Sequence, residues 1–460
     1  MPHPCLDPDM NPNRHSLGLL DSYTGGNFGD GAIQDAVMNN LRRRNPDCSF
    51  HLISLDPDRT TQIHRVPSHP LTTAVFLANR AKSSAHSPPA ERPLVTPVPG
   101  RKAGSALIEP LRLKALLRKF RLDRWGLAKK PLYLAGYLAN ELRHIRAIRH
   151  LLRDFRLLIV SGGGQLDDYW GGPMGQPYSL LKWALLARIG RVPVVFLSVG
   201  VDRLEHRLSR RFIRWALKLA VYRSYRDVGS KPLLADMPFT QTDPVIPDLA
   251  FSFDLTTLIP PATNNGNKLQ MHVGISPMAY MLKGHWPRED ARIFEPYFDA
   301  LTEFTTGLLA QGHKITLFAT AAADNFATRM LQERLETMAP GQQSQIRRIT
   351  AGCLQELLPA FADLDAVVAS RLHGVILSHL ARKPVLSISY DRKVSQYMRD
   401  MNQTPFCLDI HNVQIHELRE TFSLLRGAQA AIQTTLAERI ATFQPLLANQ
   451  YDHIMSLTAG

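Results

Sequence analysis

The chain has 460 residues, of which 45% are apolar and 20% are charged. This composition is typical of a globular protein with two or three domains, and it excludes a wholly disordered chain. No apolar run approaches the roughly 18 residues needed to span a bilayer, and residues 1–20 lack the apolar stretch of a signal peptide. The four cysteines are scattered and form no C-x-x-C pair, so we expect no disulfide framework, no zinc site and a cytoplasmic location.

The net charge of +14 is concentrated in one segment. Residues 101–156 contain 15 Lys and Arg residues and four acidic residues. A local basic patch of this kind favours an anionic partner, such as membrane headgroups, nucleic acid or a charged polymer.

Short apolar strands alternate with helical spacing in the first half of the chain, which is typical of an α/β sheet. The predicted elements are a strand at 17–23, a helix at 31–44, a strand at 50–55, a strand at 157–160, a helix at 180–188, a strand at 192–199, a helix at 208–222 and a strand end at 224–227. Residues 56–100 are rich in Pro, Ser, Thr and His and predict an irregular excursion, and residues 105–152 predict basic amphipathic helices.

A second alternating series follows a Pro-containing linker at 243–251. It predicts strands at 272–276, 314–320, 366–369 and 385–390, with helices at 293–311, 326–338, 354–361 and 374–381. Residues 413–443 have helical spacing and could cross back to brace the first half. We therefore expect two Rossmann-like domains facing a cleft, at 1–245 and 246–412, with an insertion at 56–152 and a helical tail at 413–460.

Ligands of doubly wound sheets bind beyond the carboxyl ends of the strands, so the loops that follow strands are the places to search. The first is Gly25-Gly26-Asn27-Phe28-Gly29-Asp30, where glycines allow backbone N–H groups to approach a ligand. Asp30 could cap the following helix, or its carboxylate could accept a proton from a sugar hydroxyl. Both interpretations fit the local sequence.

Two more loops carry candidate binding residues. Gly162, Gly163 and Gly164 follow a strand and can form a ligand cradle, or simply a turn that packs the next helix. Asp167 and Asp168 stand nearby without a third hard ligand, so no metal site is predicted. Arg226 ends a predicted strand and could bind phosphate or carboxylate with its planar fork, or form a surface ion pair.

The fourth loop is Ser370-Arg371-Leu372-His373-Gly374, between a buried strand and a helix. A fixed cation, a titratable imidazole and a helix N-terminus converge there, which favours a small phosphorylated acid as ligand. Lys393 follows the next strand and would add to the positive field.

These loops, in this order, resemble the polysaccharide pyruvyl transferase family. The matching stretches are Gly26–Asp30, Ser161–Gly164, Tyr225–Asp227, Pro247–Ala250, Ser370–Gly374 and Tyr390-Asp391. The resemblance implies a GT-B-like fold and transfer of pyruvate from phosphoenolpyruvate to a pair of sugar hydroxyls as a ketal. The resemblance also implies that the acceptors are bacterial surface polysaccharides or their lipid-linked precursors, in exopolysaccharide biosynthesis. By position, Arg226, Arg371 and His373 match the family's donor-binding and catalytic places.

The residues present suit that chemistry. Two arginines can hold the anionic donor, His373 can protonate its methylene carbon, and Asp30 can orient or deprotonate an acceptor hydroxyl. We expect Gly26, Asn27, Gly163, Gly164 and Lys393 to contribute to substrate binding, with phosphoenolpyruvate as co-substrate and no cofactor or metal. The segment 56–152 departs from the compact family pattern, so the acceptor sugar stays open.

The role of the basic segment stays open, since it could lie on an anionic membrane surface or form a solvated helix hairpin.

Two rival functions also remain. The same architecture would suit a glycosyltransferase that uses a sugar nucleotide. The other rival is a non-catalytic protein that binds an anionic polymer, although no nucleic-acid motif is present and no nucleic acid is expected as partner.

Overall fold

The computed structural model describes residues 15–73, 126–169, 171–202, 204–254, 270–286 and 288–458, and for residues 126–134 it describes the backbone alone. All strand pairs within its two sheets are parallel.

The first sheet has six strands in the order β3-β2-β1-β4-β5-β6. The strands are β1 Ser16–Leu20, β2 Ser49–Ser54, β3 Ser68–Pro70, β4 Phe155–Ser161, β5 Val194–Val199 and β6 Tyr222–Tyr225. The helices of this half are α1 Phe28–Arg44, α2 Pro57–His64, α3 Gly126–Leu151, α4 Gln176–Ile189 and α5 Arg207–Leu219. Every residue of β1 and β5 is buried, because helices cover both faces of the sheet.

The second sheet also has six strands, in the order β12-β11-β10-β7-β8-β9. The strands are β7 His272–Ser276, β8 Lys314–Leu317, β9 Ile346–Arg348, β10 Ala366–Ala369, β11 Val385–Ser389 and β12 Cys407–Asp409. The helices are α6 Ala291–Ala310, α7 Asn325–Met338, α8 Leu354–Asp363, α9 Leu372–Leu380 and α10 Arg392–Asp400, followed by α11 Ile415–Gly427 and α12 Gln429–Ser456. The strand order reverses at β1/β4 and at β7/β10, so the prediction of two Rossmann-like folds is confirmed.

The predicted irregular excursion is wrong where the structure describes it. Residues 57–64 form α2, and residues 68–70 form β3. The Asp56 carboxylate accepts a hydrogen bond from the backbone N–H of Arg59, and Pro57 occupies the first helical turn. Proline suits that position because the missing N–H has no helical partner there. The second part of the predicted basic helices is confirmed as α3, Gly126–Leu151. Residues 74–125, with the first part of these helices, lie outside the described residues.

The C-terminal helix α12 crosses back to the first half, as its length suggested. The Gln450 side chain is buried between the halves, where its Oε1 accepts hydrogen bonds from Ser224 Oγ at 2.5 Å and from Tyr222 Oη at 3.2 Å. Its Nε2 donates to Ser198 Oγ at 3.2 Å. Arg44 of α1 also donates to Asp452 Oδ1 at 2.6 Å. The tail therefore fixes the first sheet to the body of the second half.

We predict that Gln450→Ala lowers the free energy of unfolding by about 1–3 kcal/mol, because three buried polar groups lose a partner. Thermal and urea unfolding will measure the loss. Asn449→Ala is the matched control, since Asn449 is exposed one residue earlier on the same helix. Equal stability of the two variants would show that the Gln450 contacts do not hold the tail.

Candidate active site

The glycine-rich turn after β1 joins the two halves through its backbone. Phe28 N–H donates to the carbonyl of Thr320 at 2.9 Å, and Ala322 N–H donates to the carbonyl of Gly26 at 2.7 Å. Thr320 and Ala322 lie in the loop after β8, so loops at the carboxyl ends of two different sheets pair directly. The N-terminus of α1 is thereby fixed against the second half.

Asp30 does not cap α1, and that interpretation of its carboxylate is wrong. Asn27 is the cap, since its Oδ1 accepts the N–H of Gly29 at 3.2 Å. Helix α1 begins at Phe28, three residues earlier than the spacing predicted, which places Asp30 within the first turn. Asn27 Nδ2 donates to Asp30 Oδ2 at 2.6 Å, which leaves Asp30 Oδ1 facing the second half.

His373 lies directly on this turn. It stands in the first turn of α9, and its Nδ1 is 3.9 Å from Asp30 Oδ1. A Cβ atom built on Gly29 would overlap the imidazole ring, so only glycine leaves room for it. The other ring nitrogen, Nε2, is buried and has no hydrogen-bond partner among the described residues. A buried nitrogen without a partner carries a desolvation cost, which a ligand that hydrogen-bonds to Nε2 would relieve.

Burial disfavours charge on both members of this pair. It lowers the pKa of His373, against the opposing effect of the Asp30 and Asp248 carboxylates. Burial also raises the pKa of Asp30, and the neighbouring His373 and Arg226 only partly offset that rise. The pair is thus biased towards a neutral imidazole and a carboxyl group that binds its proton more readily than usual.

Arg226 approaches the same point from the first half. Its side chain is buried, its Nη1 donates to Asp248 Oδ2 at 3.3 Å, and its Nε is 3.8 Å from Asp227 Oδ2. A Cβ atom on Gly200 would lie 2.6 Å from Arg226 Nη2, so the guanidinium packs against bare backbone. The positive charge lowers the pKa of both Asp30 and His373, which places Arg226 within electrostatic range of the pair.

Arg371 precedes α9 and is held by a carboxylate of its own half. Its Nε and Nη2 both donate to Asp324, the second at 3.1 Å. Its guanidinium also lies 5.6 Å from the ring centre of Trp286. The pairing uses two of the five N–H donors of the guanidinium, and the Nη1 side remains for a second anion.

Lys393 is the third cation described at the site, after Arg226 and Arg371. Its Nζ donates to Asp202 Oδ2 of the first half at 3.1 Å. Burial raises the pKa of Asp167 to about 6, although the charge of Lys393 opposes the rise. Lys393 also lowers the pKa of His373, so it lies in the same field as Arg226.

The glycines after β4 differ in their surroundings. Gly163 has a φ of +63°, its carbonyl accepts the N–H of Gly200 at 2.7 Å, and a Cβ there would meet Asp30 Oδ1 at 3.4 Å. A Cβ on Gly164 would meet nothing within 4 Å, so Gly164 faces open space. Gly163 therefore borders the Asp30 carboxylate directly, and Gly164 does not.

The structure brings Arg226, Arg371 and His373 into one electrostatic neighbourhood around Asp30. The sequence search missed the carboxylates that hold the cations: Asp202, Asp248 and Asp324. Asp202 follows β5 and Asp324 follows β8, so the rule that located the glycines and arginines would also have found these two. Asp248 was noticed only as part of the junction between halves.

A buried carboxylate behind Asp30 was also missed. Asp21, just after β1, accepts hydrogen bonds from Gln165 and from Gln34, the latter at 2.6 Å. Burial and the charge of Asp30 raise the pKa of Asp21 well above its ordinary value. Both effects disfavour a negative charge on Asp21.

A cavity of about 360 Å³ adjoins the site at the carboxyl ends of β11 and β12, with Tyr390, Arg392 and His411 in its lining. Within the described residues, no three His, Cys, Asp or Glu side chains are arranged to hold a metal ion. Among the helices described, none combines the length and apolarity required to cross a bilayer.

Comparison with known proteins identifies the family and the fold. The sequence model of the polysaccharide pyruvyl transferase family matches residues 27–392. The chain belongs to this family. The match begins at Asn27, the cap of α1, and ends at Arg392, so it includes each cation and carboxylate described above except Asp21 and Lys393. A search of curated proteins found no significant match.

Solved structures with similar folds include UDP-GlcNAc 2-epimerases and a glycosyltransferase. A UDP-GlcNAc 2-epimerase from Neisseria meningitidis, bound to UDP-GlcNAc, has a TM-score of 0.53 at 10% identity, covering 96% of this chain and 98% of its own. A glycosyltransferase from Rickettsia africae has a TM-score of 0.51 at 9% identity, covering 97% and 99%. At such identities the likeness establishes the two-domain fold alone.

We predict that Gly29→Ala displaces the His373 ring, because the added methyl group would occupy its place. Overpacking of this kind costs about 1–3 kcal/mol or more, and thermal unfolding will report it. Gly164→Ala is the control, since a methyl group there meets open space. A Gly29→Ala protein as stable as the control would contradict the close contact.

Proposed function

We propose that this protein transfers pyruvate from phosphoenolpyruvate to two hydroxyls of one sugar, forming a pyruvate ketal. The observation that carries the proposal is the buried pair of His373 and Asp30, whose Nδ1 and Oδ1 lie 3.9 Å apart where the two halves meet. Arg226 and Lys393 act electrostatically on His373, and Arg371 acts on Asp30. The acceptor we propose is a bacterial surface polysaccharide or its lipid-linked oligosaccharide precursor, in exopolysaccharide biosynthesis.

The charge of the site supports an anionic donor. Phosphoenolpyruvate carries about three negative charges near pH 7, and arginine forks suit both its phosphate and its carboxylate. In the structure Asp324 binds Arg371 and Asp248 binds Arg226. The donor would therefore share Arg371 with Asp324 and compete with Asp248 for Arg226. Helix α9 has no side-chain cap, so its first N–H groups also remain for the donor.

The pair of His373 and Asp30 suits the proton transfers of ketal formation. The imidazolium of His373 gives a proton to the donor methylene, which becomes a methyl group, while a sugar hydroxyl adds to the adjacent carbon. The C–O bond to phosphate then breaks, phosphate leaves with the bond's electron pair, and the second hydroxyl closes the ketal. Asp30 accepts one hydroxyl proton and the departing phosphate accepts the other, so atoms and charges balance.

Because burial lowers the pKa of His373 in the free protein, the donor itself would have to favour the imidazolium. An anion beside the ring does this by electrostatic attraction. Binding of phosphoenolpyruvate would therefore be accompanied by proton uptake.

Other parts of the proposal concern location and partners. We propose a cytoplasmic protein that works at the inner face of the cytoplasmic membrane, where lipid-linked acceptors are assembled. The acceptor would contact the first half, beside Asp30 and the glycines at 26 and 163.

A thermal-shift screen of phosphoenolpyruvate against UDP- and GDP-sugars tests the donor. We expect phosphoenolpyruvate alone to raise the melting temperature, by an amount that grows with the logarithm of its concentration. Pyruvate and inorganic phosphate, added singly, are the controls. Stabilisation by a sugar nucleotide and none by phosphoenolpyruvate would replace the proposal with a glycosyltransferase.

We predict that His373→Ala abolishes phosphate release from phosphoenolpyruvate in the presence of acceptor, while the donor still binds measurably. In the parent protein the donor should bind more tightly as pH falls, because protonation of His373 is favoured in the complex. The variant should lose that part of the pH dependence and retain the part that belongs to the donor's own phosphate. Calorimetry in buffers of different ionisation heat measures the proton uptake directly. Unchanged turnover, or identical pH dependence, would remove His373 from the mechanism.

A further inference from the structure

Helices α3, α4 and α5 lie side by side on one face of the first sheet. Lys182 of α4 donates to Glu141 of α3 at 2.8 Å, and the rings of Tyr178 in α4 and Phe212 in α5 are 6.1 Å apart. Their inner side chains form one apolar core with β4 and β5. Each of the three helices carries exposed residues on the side away from this core.

The outer side of α5 carries two exposed apolar residues among exposed basic ones. Its inward residues include Ile213 and Ala216, which are buried. On the opposite side, Leu208 is 42% exposed and Trp215 is 50% exposed. Their spacing of seven residues, two helical turns, aligns them on one stripe.

The two neighbouring helices also carry exposed apolar residues. Leu185 and Ile189 of α4 are 46% and 60% exposed, and they stand one turn apart. Leu138 and Leu142 of α3 are 51% and 54% exposed, also one turn apart. Three helices that pack side by side thus each expose a pair of large apolar side chains, which is more than single scattered residues.

The charge around these residues is almost entirely positive. The three helices contain twelve Lys and Arg residues and a single acidic residue, Glu141, which is buried against Lys182. Arg210 and Arg214 are paired with Asp236 of a neighbouring loop. Arg207 and Arg211, on the outer side of α5, are exposed beside Leu208 and Trp215.

We propose that this surface, the basic apolar face, binds an anionic lipid bilayer. Leucine, isoleucine and tryptophan side chains enter the headgroup region, while arginines contact lipid phosphates around them. Tryptophan suits this boundary because its ring is apolar and its N–H is polar. The proposal concerns a surface other than the active site, so it does not depend on which donor the site uses.

The positive charge and the apolar residues of the face together favour an anionic bilayer over the other binding partners. A second copy of the chain would present the same positive surface and repel it. Residues 101–125 are also basic, so electrostatic repulsion disfavours the packing of this segment on the basic apolar face. Nucleic acid would satisfy the arginines, but the exposed leucines and isoleucine would find no partner on a phosphate backbone.

Vesicle flotation of the full chain tests the proposal. The vesicles contain phosphatidylcholine, alone or with about 30% phosphatidylglycerol, at low salt and at about 0.5 M salt. We expect binding to the anionic vesicles at low salt and a loss of binding at high salt or without phosphatidylglycerol.

Two double variants separate the contributions of the face from those of residues 101–125. Leu208→Ser with Trp215→Ser, and Arg207→Glu with Arg211→Glu, should each reduce partitioning by about tenfold or more. Leu424→Ser is the matched control, since Leu424 is 64% exposed on α11, outside the face. Circular dichroism and melting temperature establish that each variant is folded.

Retention of parent-level flotation by both double variants would overturn the proposal and assign any binding to another segment. A parent protein that does not float with anionic vesicles at low salt would also overturn it. So would a dimer in light scattering that the serine variant dissociates, or RNA binding that the glutamate variant loses while flotation persists. Failure of phosphoenolpyruvate to bind would leave these results unaffected.

Discussion

The packing of His373 against the bare backbone of Gly29 is the contact on which the site depends. The imidazole comes from the second half and the glycine from the first, so the ring reaches Asp30 only when both halves are in place. Backbone hydrogen bonds between the Gly26–Phe28 turn and the loop after β8 fix the two halves in this position. The acid and base groups of the proposed reaction are thus assembled by interdomain packing and not by either half alone.

The cations of the site share a second constraint, since each has an aspartate partner before any substrate binds. Asp248 holds Arg226, Asp324 holds Arg371 and Asp202 holds Lys393. Buried positive charges need such partners, because an unpaired buried charge would cost several kcal/mol. The aspartates also fix the direction of each guanidinium, which reduces the ordering required when an anionic substrate arrives.

The sequence predicted the fold and part of the site, for reasons that particular residues make clear. Buried parallel strands such as β10 are continuous apolar runs, so they were found almost to the residue. Three of the four edge strands, β3, β9 and β12, have three residues each and too little pattern to detect. Arg226 directly follows a strand, as predicted, whereas His373 lies in the first turn of α9, which begins two residues earlier than predicted. Pairing between charges of different loops requires coordinates. The partners of Arg371 and Lys393, and the capping role of Asn27, could not be read from spacing.

The return of α12 to the first sheet has a mechanical consequence. The polypeptide passes between the halves once after β6 and again through the helix that carries Gln450 and Asp452. Two chain passages at separate places restrict sliding and twisting of one half against the other. In the transferase we propose, a bulky acceptor would enter by a hinge motion that breaks the backbone hydrogen bonds of Phe28 with Thr320 and of Gly26 with Ala322. The same two passages would guide the ring at position 373 back to its place when the halves close.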